Sequence, residues 1–236
     1  MLPLRDNVPT RSFPIVTVGL IVANTIVWLW EWSGTPVDTD IKYGYYPCSL
    51  EGPCVQLQGI PPHALPWYES ALTSMFMHGS WIHIIGNMLF LWIFGNNVED
   101  AMGRVRFLLW YLAAGLAATA LQTFVTLQFA DAAGASIPNV GASGAISGVL
   151  GAYMLLLPSA RVLTAITLGF FFILQEVPAI LFIGIWIIFQ LLEGGFSLVQ
   201  PEAGGGVAFF AHIGGFAFGM LTVFAVVVRR PLRPSW

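Results

Sequence analysis

The sequence predicts an all-α membrane protein built as a bundle of six transmembrane helices. Of its 236 residues, 57% are hydrophobic and only 9% are charged, and the mean hydropathy is +0.78. A soluble domain carries roughly 25% charged residues, so this composition indicates a chain that crosses a bilayer several times. Six apolar stretches, separated by polar or glycine-rich segments, supply the spans, and we expect a single domain over residues 1–236.

The charge pattern excludes one class of partner. The net charge is −3 and the Lys and Arg residues are scattered, so the chain lacks the basic patch that nucleic acid binding requires. The first ten residues lead into an apolar stretch without a small-residue cleavage site. We therefore expect no removable signal peptide and keep that stretch as a span. No metal or other cofactor is expected.

The predicted helices follow from the lengths and flanks of the apolar stretches. Residues 12–32 carry no charge between Ser12 and Trp30 and end in a tryptophan belt typical of a membrane interface. Residues 33–79 are more polar and are predicted as a long loop on the outer side. The six predicted spans are residues 12–32, 80–101, 106–128, 141–157, 177–193 and 207–228.

The stretch from Val162 to Leu192 allows two interpretations. As one straight helix it would be ~46 Å long at 1.5 Å per residue, which is too long for a simple span, and Glu176 and Pro178 interrupt it. Either both halves cross the membrane, or residues 162–175 form an interfacial or re-entrant segment and only the second half spans.

The basic residues favour the second interpretation. With six spans every Arg lies on one side and only Lys42 on the other, as the positive-inside rule requires, whereas seven spans would separate the terminal arginines from the rest. We therefore expect both termini in the cytoplasm and the protein in the plasma or inner cell membrane. The residues on the predicted cytoplasmic side are Arg5, Arg11, Arg104, Arg106, Arg161, Arg229, Arg230 and Arg233.

Ser143 is the candidate nucleophile. It lies in the segment Gly141-Ala142-Ser143-Gly144 at the start of the fourth helix. There the glycines leave its hydroxyl uncrowded, and the backbone amides of the first turn are free to donate. Gly144, Gly148 and Gly151 recur at helical spacing, so the stretch also fits close helix packing, which alone would explain the serine.

A second groove of small residues carries His212. Ala208, His212 and Gly215 share one face of the sixth helix, and packing of this face against the fourth helix would bring the imidazole to the Ser143 hydroxyl. The alternative is a histidine whose ring is satisfied by a neighbouring carbonyl. The glycines expected to pack these helices are Gly141, Gly144, Gly148, Gly215 and Gly219.

His83 and Asn87 lie one turn apart on one face of the second helix, and each can donate a hydrogen bond. The second, fourth and sixth helices all enter from the outer side, so these side chains meet Ser143 and His212 roughly 5 to 10 Å below the outer end. They would line an oxyanion hole with the Ser143 amide, or else serve as interhelical hydrogen bonds. Since no acidic residue lies at this depth in the three helices, the sequence predicts a Ser-His dyad.

Together these motifs resemble the rhomboid family of intramembrane serine proteases in its basic six-helix form. The resemblance covers most of the chain and implies the cleavage of transmembrane protein substrates near their outer ends. It implies Ser143 as the nucleophile, His212 as the general base, and His83, Asn87 and the Ser143 amide as the oxyanion hole. The motifs that carry it are Gly141-Ala142-Ser143-Gly144, Ala211-His212 with Gly215 and Gly219, and His83-x-x-x-Asn87.

Other residues match the family less completely. His78 matches a further histidine that is common in it, and Glu99 resembles its glutamate near the inner end of the second helix, although a plain interfacial charge explains Glu99 equally well. Some bacterial members have a Trp-Arg pair in the first loop. Here the stretch is Trp67-Tyr68-Glu69-Ser70, so the anchoring contacts of that loop are not carried over.

Two other functions compete with proteolysis. A catalytically inactive rhomboid-like protein would bind membrane helices without cutting them, but it is expected to have lost Ser143 or His212, and both are present. A small-solute transporter is expected to show repeated halves or broken helices around a mid-membrane site. The polar residues of this chain instead cluster near one surface, which favours the intramembrane endopeptidase.

One hypothesis concerns the two cysteines. Cys48 and Cys54 lie in the predicted outer loop, where oxidising conditions permit a disulfide. Two free thiols are equally compatible with their spacing.

The last hypothesis concerns access to the site. Gly194–Gly206 is predicted as a glycine-rich lid above His212, and the fifth helix, expected to be short and to start at Pro178, is the candidate gate for substrate that enters from lipid. Its Trp186 and Phe189 would then be displaced on entry, or would simply face lipid.

Overall fold

The computed structural model describes residues 1–52, 54, 65–168, 171–199 and 207–234 of a mostly helical protein. Short 3-10 turns lie at Pro47–Leu50 and Ser74–Phe76, and a π-helical turn at Leu91–Gly95 joins α4 to α5. The elements are β1 (Leu2–Asp6), α1 (Ile15–Ser33), α2 (Pro36–Tyr43), α3 (Trp67–Thr73), α4 (Trp81–Phe90), α5 (Asn96–Met102), α6 (Arg104–Phe129), α7 (Ala132–Ala135), α8 (Ser143–Leu156), β2 (Arg161–Leu168), β3 (Phe171–Pro178), α9 (Ala179–Val199) and α10 (Phe209–Val226).

Several helices have the length and composition of membrane spans. Four qualify individually, namely α1, α6, α9 and α10, and a fifth qualifies if the segments Trp67–Phe76 and Trp81–Met102, bent by 81° at their junction, count as one. The helix α8 is apolar but shorter. The chain is therefore a multi-pass membrane protein, and the predicted count of six spans stays a prediction.

The short helix α8 forms the centre of the bundle. Every residue from Gly144 to Tyr153 is buried, because α4, α6, α9 and α10 surround it. Its 14 residues correspond to ~21 Å, less than the ~30 Å of a hydrocarbon core. α8 alone is therefore shorter than the apolar core of a bilayer.

Glycines allow α8 and α10 to pack backbone against backbone. A Cβ built on Gly215 or Gly219 would overlap the carbonyl oxygen of Gly144 or Gly148, respectively. On its other side α8 contacts α6, where a Cβ on Gly148 would lie 2.8 Å from the Cβ of Ala114. Such separations are too short for any side chain, so these glycines set the distance between the helices.

The segment 161–178 is neither helical nor a span, so the all-α prediction is wrong here. It forms the antiparallel strands β2 and β3, and β1 pairs with the free edge of β2. β-Branched residues such as Val162, Thr164 and Ile173 favour this conformation. A short apolar run of this kind does not distinguish strand from helix by periodicity alone, which explains the error.

Polar contacts tie the N-terminal segment to the end of the bundle where α8 finishes. The carboxylate of Glu99 accepts hydrogen bonds from Val16 N at 3.1 Å and from Thr17 N at 2.7 Å, and it is 3% exposed. It therefore caps the first turn of α1 and is not a plain interfacial charge. Arg11 forms an ion pair with Asp100 at 2.8 Å beside this cap.

Asp6 joins the sheet to the central helix. Its Oδ2 accepts hydrogen bonds from Tyr153 Oη of α8 at 2.6 Å and from Asn97 Nδ2 of α5 at 2.7 Å. Burial raises the pKa of Asp6 from 3.8 to about 6. The carboxyl group of Asp6 therefore takes up a proton at a higher pH in the folded protein than in the unfolded chain.

The outer segments differ in part from their prediction. Residues 33–79, predicted as a loop, contain α2 and α3, and Cys48 and Cys54 form a disulfide, which confirms that hypothesis. The helix α9 is not short: it continues to Val199, so the first part of the predicted lid is helical. The rest of that lid, including Gly204 to Gly206, lies outside the described residues.

We predict that Gly215→Ala strongly destabilises the protein. The new methyl group would overlap the Gly144 carbonyl and force α8 and α10 apart, at a cost of about 1 to 3 kcal/mol or more. The control is Gly19→Ala on α1, where a Cβ meets nothing within 4 Å. Thermal unfolding in detergent should show a lower midpoint for Gly215→Ala alone. Equal midpoints for both variants would contradict the packing argument.

We also predict a pH-dependent contribution from Asp6. Because its pKa is higher in the folded state (about 6) than the unfolded value of 3.8, the stability that it contributes is fully present below pH 3.8 and is lost as the pH rises through 6. Asp6→Asn keeps an acceptor oxygen but cannot ionise. Between pH 5 and 7.5 the thermal midpoint should therefore fall further in the wild type than in this variant.

The control for this measurement is Glu51→Gln, which neutralises an exposed carboxylate. Its pH response should match that of the wild type. An identical pH response in the wild type and in Asp6→Asn would show that the Asp6 carboxyl does not change its protonation between these pH values in the folded protein.

Candidate active site

Ser143 and His212 are in direct contact. The distance from Ser143 Oγ to His212 Nε2 is 2.8 Å, which is within hydrogen-bonding range. Ser143 is the first residue of α8 and His212 lies in the first turn of α10. The glycine packing of these two helices brings together two side chains that are 69 residues apart in sequence.

A tight turn at Gly141 presents Ser143 to the site. Gly141 adopts φ +122°, a conformation that only glycine adopts readily, and its N–H donates to Ser74 O at 2.8 Å. A Cβ at this position would also lie 2.7 Å from His83 Nε2. Gly141 thus differs from the other predicted packing glycines: it lies under the His83 ring and not in the groove between helices.

Asn87 faces the site with an unused donor. The side chain of Asn87 is 8% exposed, and its Nδ2 is buried without a hydrogen-bond partner among the described residues. An unpaired buried donor is costly unless a ligand or water completes it. Asn87, His83 and Ser143 line the same cavity, so this donor and the free N–H groups of the first turn of α8 are available to an oxyanion.

The cavity has a volume of about 600 Å³. Its upper part is bordered by Gly79, Ser80 and Val140, and its floor is apolar, with Phe90, Ile146 and Leu150. A cleft of this size is sufficient for several residues of an extended peptide. Among the described residues no cluster of His, Cys, Asp and Glu is arranged to hold a metal ion.

Ser147, one turn after Ser143, also borders this cavity but has a different environment. Its hydroxyl donates to the Ser143 carbonyl oxygen at 2.6 Å, and the residue is 1% exposed. The Ser147 hydroxyl is therefore already used within the helix. Of the two serines, only Ser143 is hydrogen-bonded to a histidine.

Sequence reasoning missed Gln190. This residue of α9 places its Oε1 2.7 Å from His212 Nδ1. The signal available in the sequence was an amide within a mainly apolar span, since polar residues at membrane depth commonly have a function. The dyad prediction considered only carboxylates of three helices, so it did not test a neutral side chain on a fourth.

The two proposed gate residues have different surroundings. Trp186 packs 5.8 Å from the His212 ring, centroid to centroid, and borders the cavity. Phe189 is 56% exposed on the outer face of α9. The hypothesis that substrate entry displaces both side chains is therefore not supported for Phe189, because its ring already faces outward from the bundle.

His78 does not reach the dyad. It is completely buried, its backbone N–H donates to Glu31 Oε2 at 3.2 Å, and its ring packs edge-on against His83 at 5.0 Å between centroids. Neither ring nitrogen has a hydrogen-bond partner among the described residues. His78 thus packs against His83 of α4 and binds Glu31 near the C-terminal end of α1.

Comparison with known proteins gives one family. A family model described as the Rhomboid domain matches residues 66–229, more than half of the chain. The matched region contains α8, α9 and α10, and with them Ser143, His212 and Gln190.

Individual relatives match parts of the chain. The presenilin-associated rhomboid-like protein A, mitochondrial, of Danio rerio is 40% identical over 37% of this chain and 22% of its own length. Rhomboid protein 1, mitochondrial, of Saccharomyces cerevisiae is 31% identical over 64% of this chain and 40% of its own length. Rhomboid protease GluP of Bacillus subtilis is 38% identical over 44% of this chain and 18% of its own length. The chain spans less than half of the length of each.

The names of these relatives correct one prediction. The proteins from Danio rerio and Saccharomyces cerevisiae are named as mitochondrial. The predicted location in the plasma or inner cell membrane, with termini in the cytoplasm, is therefore wrong.

We predict that Asn87→Ala slows the reaction of Ser143 with a fluorophosphonate. The phosphoryl oxygen gains negative charge as the serine attacks, and the loss of one oxyanion donor costs on the order of 10² to 10³ in rate. The control is Asn24→Ala, which removes a buried asparagine whose Nδ2 donates within α1 to Leu20 O at 2.7 Å. Asn24→Ala should react at the wild-type rate, and equal rates for Asn87→Ala and the wild type would exclude Asn87 from the oxyanion hole.

Proposed function

We propose that this chain, which belongs to the rhomboid family, is a serine endopeptidase that cleaves transmembrane segments of other membrane proteins. The observation that carries the proposal is the 2.8 Å contact between Ser143 Oγ and His212 Nε2, beside a cavity that also presents the unpaired Asn87 amide. A nucleophile, a base and an oxyanion donor in one cavity are the requirements of acyl transfer.

The reaction follows from these contacts. His212 Nε2 accepts the Ser143 proton as Oγ attacks the peptide carbonyl carbon, and the oxyanion is stabilised by Asn87, His83 and the Ser143 amide. The C–N bond then breaks, and His212 gives its proton to the leaving amine. Water, deprotonated by the same imidazole, hydrolyses the acyl ester and restores Ser143.

We propose a six-helix architecture for the whole rhomboid domain, which we extend to residues 1–236. The four long spans α1, α6, α9 and α10 are joined by the continuous segment Trp81–Met102 and by the shorter α8. The termini then lie on the same side, and Ser143 opens toward the opposite side. The names of the relatives favour a mitochondrial membrane as its location.

The substrate class follows from the depth of Ser143. Since α8 is shorter than a bilayer and begins at Ser143, the nucleophile would meet a peptide bond below the membrane surface, within the end of a transmembrane segment. The partners that we propose are thus transmembrane proteins and the lipid bilayer, with no nucleic acid.

The alternative is a catalytically inactive protein that binds membrane helices. The relatives named presenilin-associated rhomboid-like proteins do not carry the word protease, whereas the relative from Bacillus subtilis does. Peptidase activity is favoured because both Ser143 and His212 are present and lie within hydrogen-bonding distance.

The test compares two serines in the same helix. We expect Ser143→Ala to abolish cleavage of a model transmembrane substrate in proteoliposomes, and Ser147→Ala to retain it, because the Ser147 hydroxyl is bound to a carbonyl and not to His212. His212→Ala should also show no detectable turnover, since the loss of the general base lowers the rate by roughly 10²- to 10⁴-fold. A Ser143→Ala variant that still cleaves would disprove the proposed mechanism.

A further inference from the structure

Gln190 contacts the dyad from a helix that carries neither of its members. Its Oε1 lies 2.7 Å from His212 Nδ1. Trp186, one turn earlier on α9, packs its indole 5.8 Å from the imidazole and 6.3 Å from the ring of Phe216, centroid to centroid. Two side chains of α9 thus lie against the His212 ring, Gln190 at Nδ1 and Trp186 in a tilted ring contact.

The Gln190 contact defines which nitrogen of His212 carries the proton. With the Gln190 amide oriented so that Oε1 faces the ring, His212 Nδ1 donates, since an amide oxygen only accepts a hydrogen bond. The Nε2 atom then keeps its lone pair and accepts from Ser143 Oγ at 2.8 Å. In the opposite tautomer the Nε2–H group would point at the serine oxygen. The lone pair of Nδ1 would then face Gln190 Oε1, so two acceptors would meet without a proton between them.

No carboxylate takes this place. Within the part of the chain that the structure describes, the hydrogen bonds of the His212 ring are those to Ser143 and Gln190. An ionised carboxylate at membrane depth is costly, whereas a neutral amide orients the imidazole at little desolvation cost. The neutral partner supplies orientation without the additional stabilisation of the imidazolium that a carboxylate gives.

We propose that Gln190 is the positioning residue of a Ser143-His212-Gln190 arrangement, in which its amide oxygen holds His212 in the tautomer that accepts the Ser143 proton. This proposal rests on the proposed function, because it concerns how Ser143 is activated. Gln190 itself touches only His212 and takes part in no covalent step.

A purely structural role predicts a different experimental result. If Gln190 only tied α9 to α10, its loss would lower the thermal stability and would affect substrate entry. It would not change the reaction of Ser143 with a small probe that needs no gate. The two roles are therefore separated by the rate of fluorophosphonate labelling, measured beside the kcat and KM for a membrane-embedded substrate.

The decisive variants are Gln190→Leu and Gln190→Glu. Gln190→Leu removes the acceptor with little change in volume, and we expect both kcat and the labelling rate to fall roughly 10- to 100-fold with KM little changed. Gln190→Glu keeps an acceptor oxygen at the same reach, so it should restore most of both rates. Gln190→Asn has the same amide on a shorter side chain and should resemble Gln190→Leu.

The matched control is Gln122→Leu. Gln122 Oε1 accepts from Ala211 N at 3.1 Å, next to His212, and its Nε2 donates to Thr126 Oγ1 at 3.0 Å. Ala211 N also donates to Ala208 O at 3.1 Å, so it keeps a partner in this variant. Gln122→Leu should lose thermal stability but keep the wild-type labelling rate, since Gln122 does not contact the imidazole.

Two results would overturn the proposal. They are wild-type labelling by Gln190→Leu, whether or not cleavage is lost, and a Gln190→Glu variant as slow as Gln190→Leu. If Gln190→Leu does not fold, the comparison of Gln190→Glu with Gln190→Asn decides in the same way. If the wild-type protein cleaves no substrate, the proposed peptidase function is wrong. If its labelling still depends on Gln190, the positioning role of Gln190 is retained.

Discussion

The close contact of α8 with α10 is the constraint on which the rest of the site depends. Gly215 and Gly219 approach the carbonyl oxygens of Gly144 and Gly148 so closely that no side chain fits between the backbones. In lipid there is no hydrophobic driving force between helices. Membrane helices that must stay in register therefore use small residues, which let their backbones approach closely. Here that register brings Nε2 of His212 to 2.8 Å from the Ser143 hydroxyl.

The polar groups of the molecule are divided between two ends with different physical roles. At the end where α8 finishes, Glu99, Asp100 and Asp6 form hydrogen bonds or an ion pair that join α1, β1 and the N-terminal segment to the bundle. Around the dyad the side chains that contact one another are neutral amides, hydroxyls and imidazoles. Carboxyl groups thus hold the first end together, whereas an unpaired amide donor remains beside the dyad.

Much of the site was predictable because its residues lie in motifs with fixed helical spacing. The Gly-x-Ser-Gly segment and the four-residue step from His83 to Asn87 specify one face of each helix, and the shared direction of three helices gives a common depth. The resemblance to the family rested on these motifs together with Ala211-His212, Gly215 and Gly219, in this order and topology. Gly141 was assigned to helix packing because its left-handed turn depends on the loop before α8, which has no periodic pattern.

Other features required the tertiary structure. The strands β2 and β3 were not predicted because a short apolar run has the same pattern in a buried strand, an interfacial segment and a helix. Gln190 was missed because its role depends on the rotation of α9 about its own axis. That rotation is set by contacts with α8 and α10 and not by spacing within α9.

The proposed division of the three side chains among α8, α10 and α9 makes catalysis conditional on the position of one helix. A Cβ on Gly184 or Gly195 of α9 would meet nothing within 4 Å, and one on Gly194 would meet only side chains of α10. Much of the apolar surface of α9 also faces outward, so α9 lacks the close backbone packing of the other two helices. A bundle with α9 displaced would still hold Ser143 beside His212 but would leave Nδ1 without its acceptor. An entering segment that displaces α9 would then leave Ser143 without an activated base, and the return of α9 would restore its activation. Ser143 would thus be unreactive while the bundle is open to lipid.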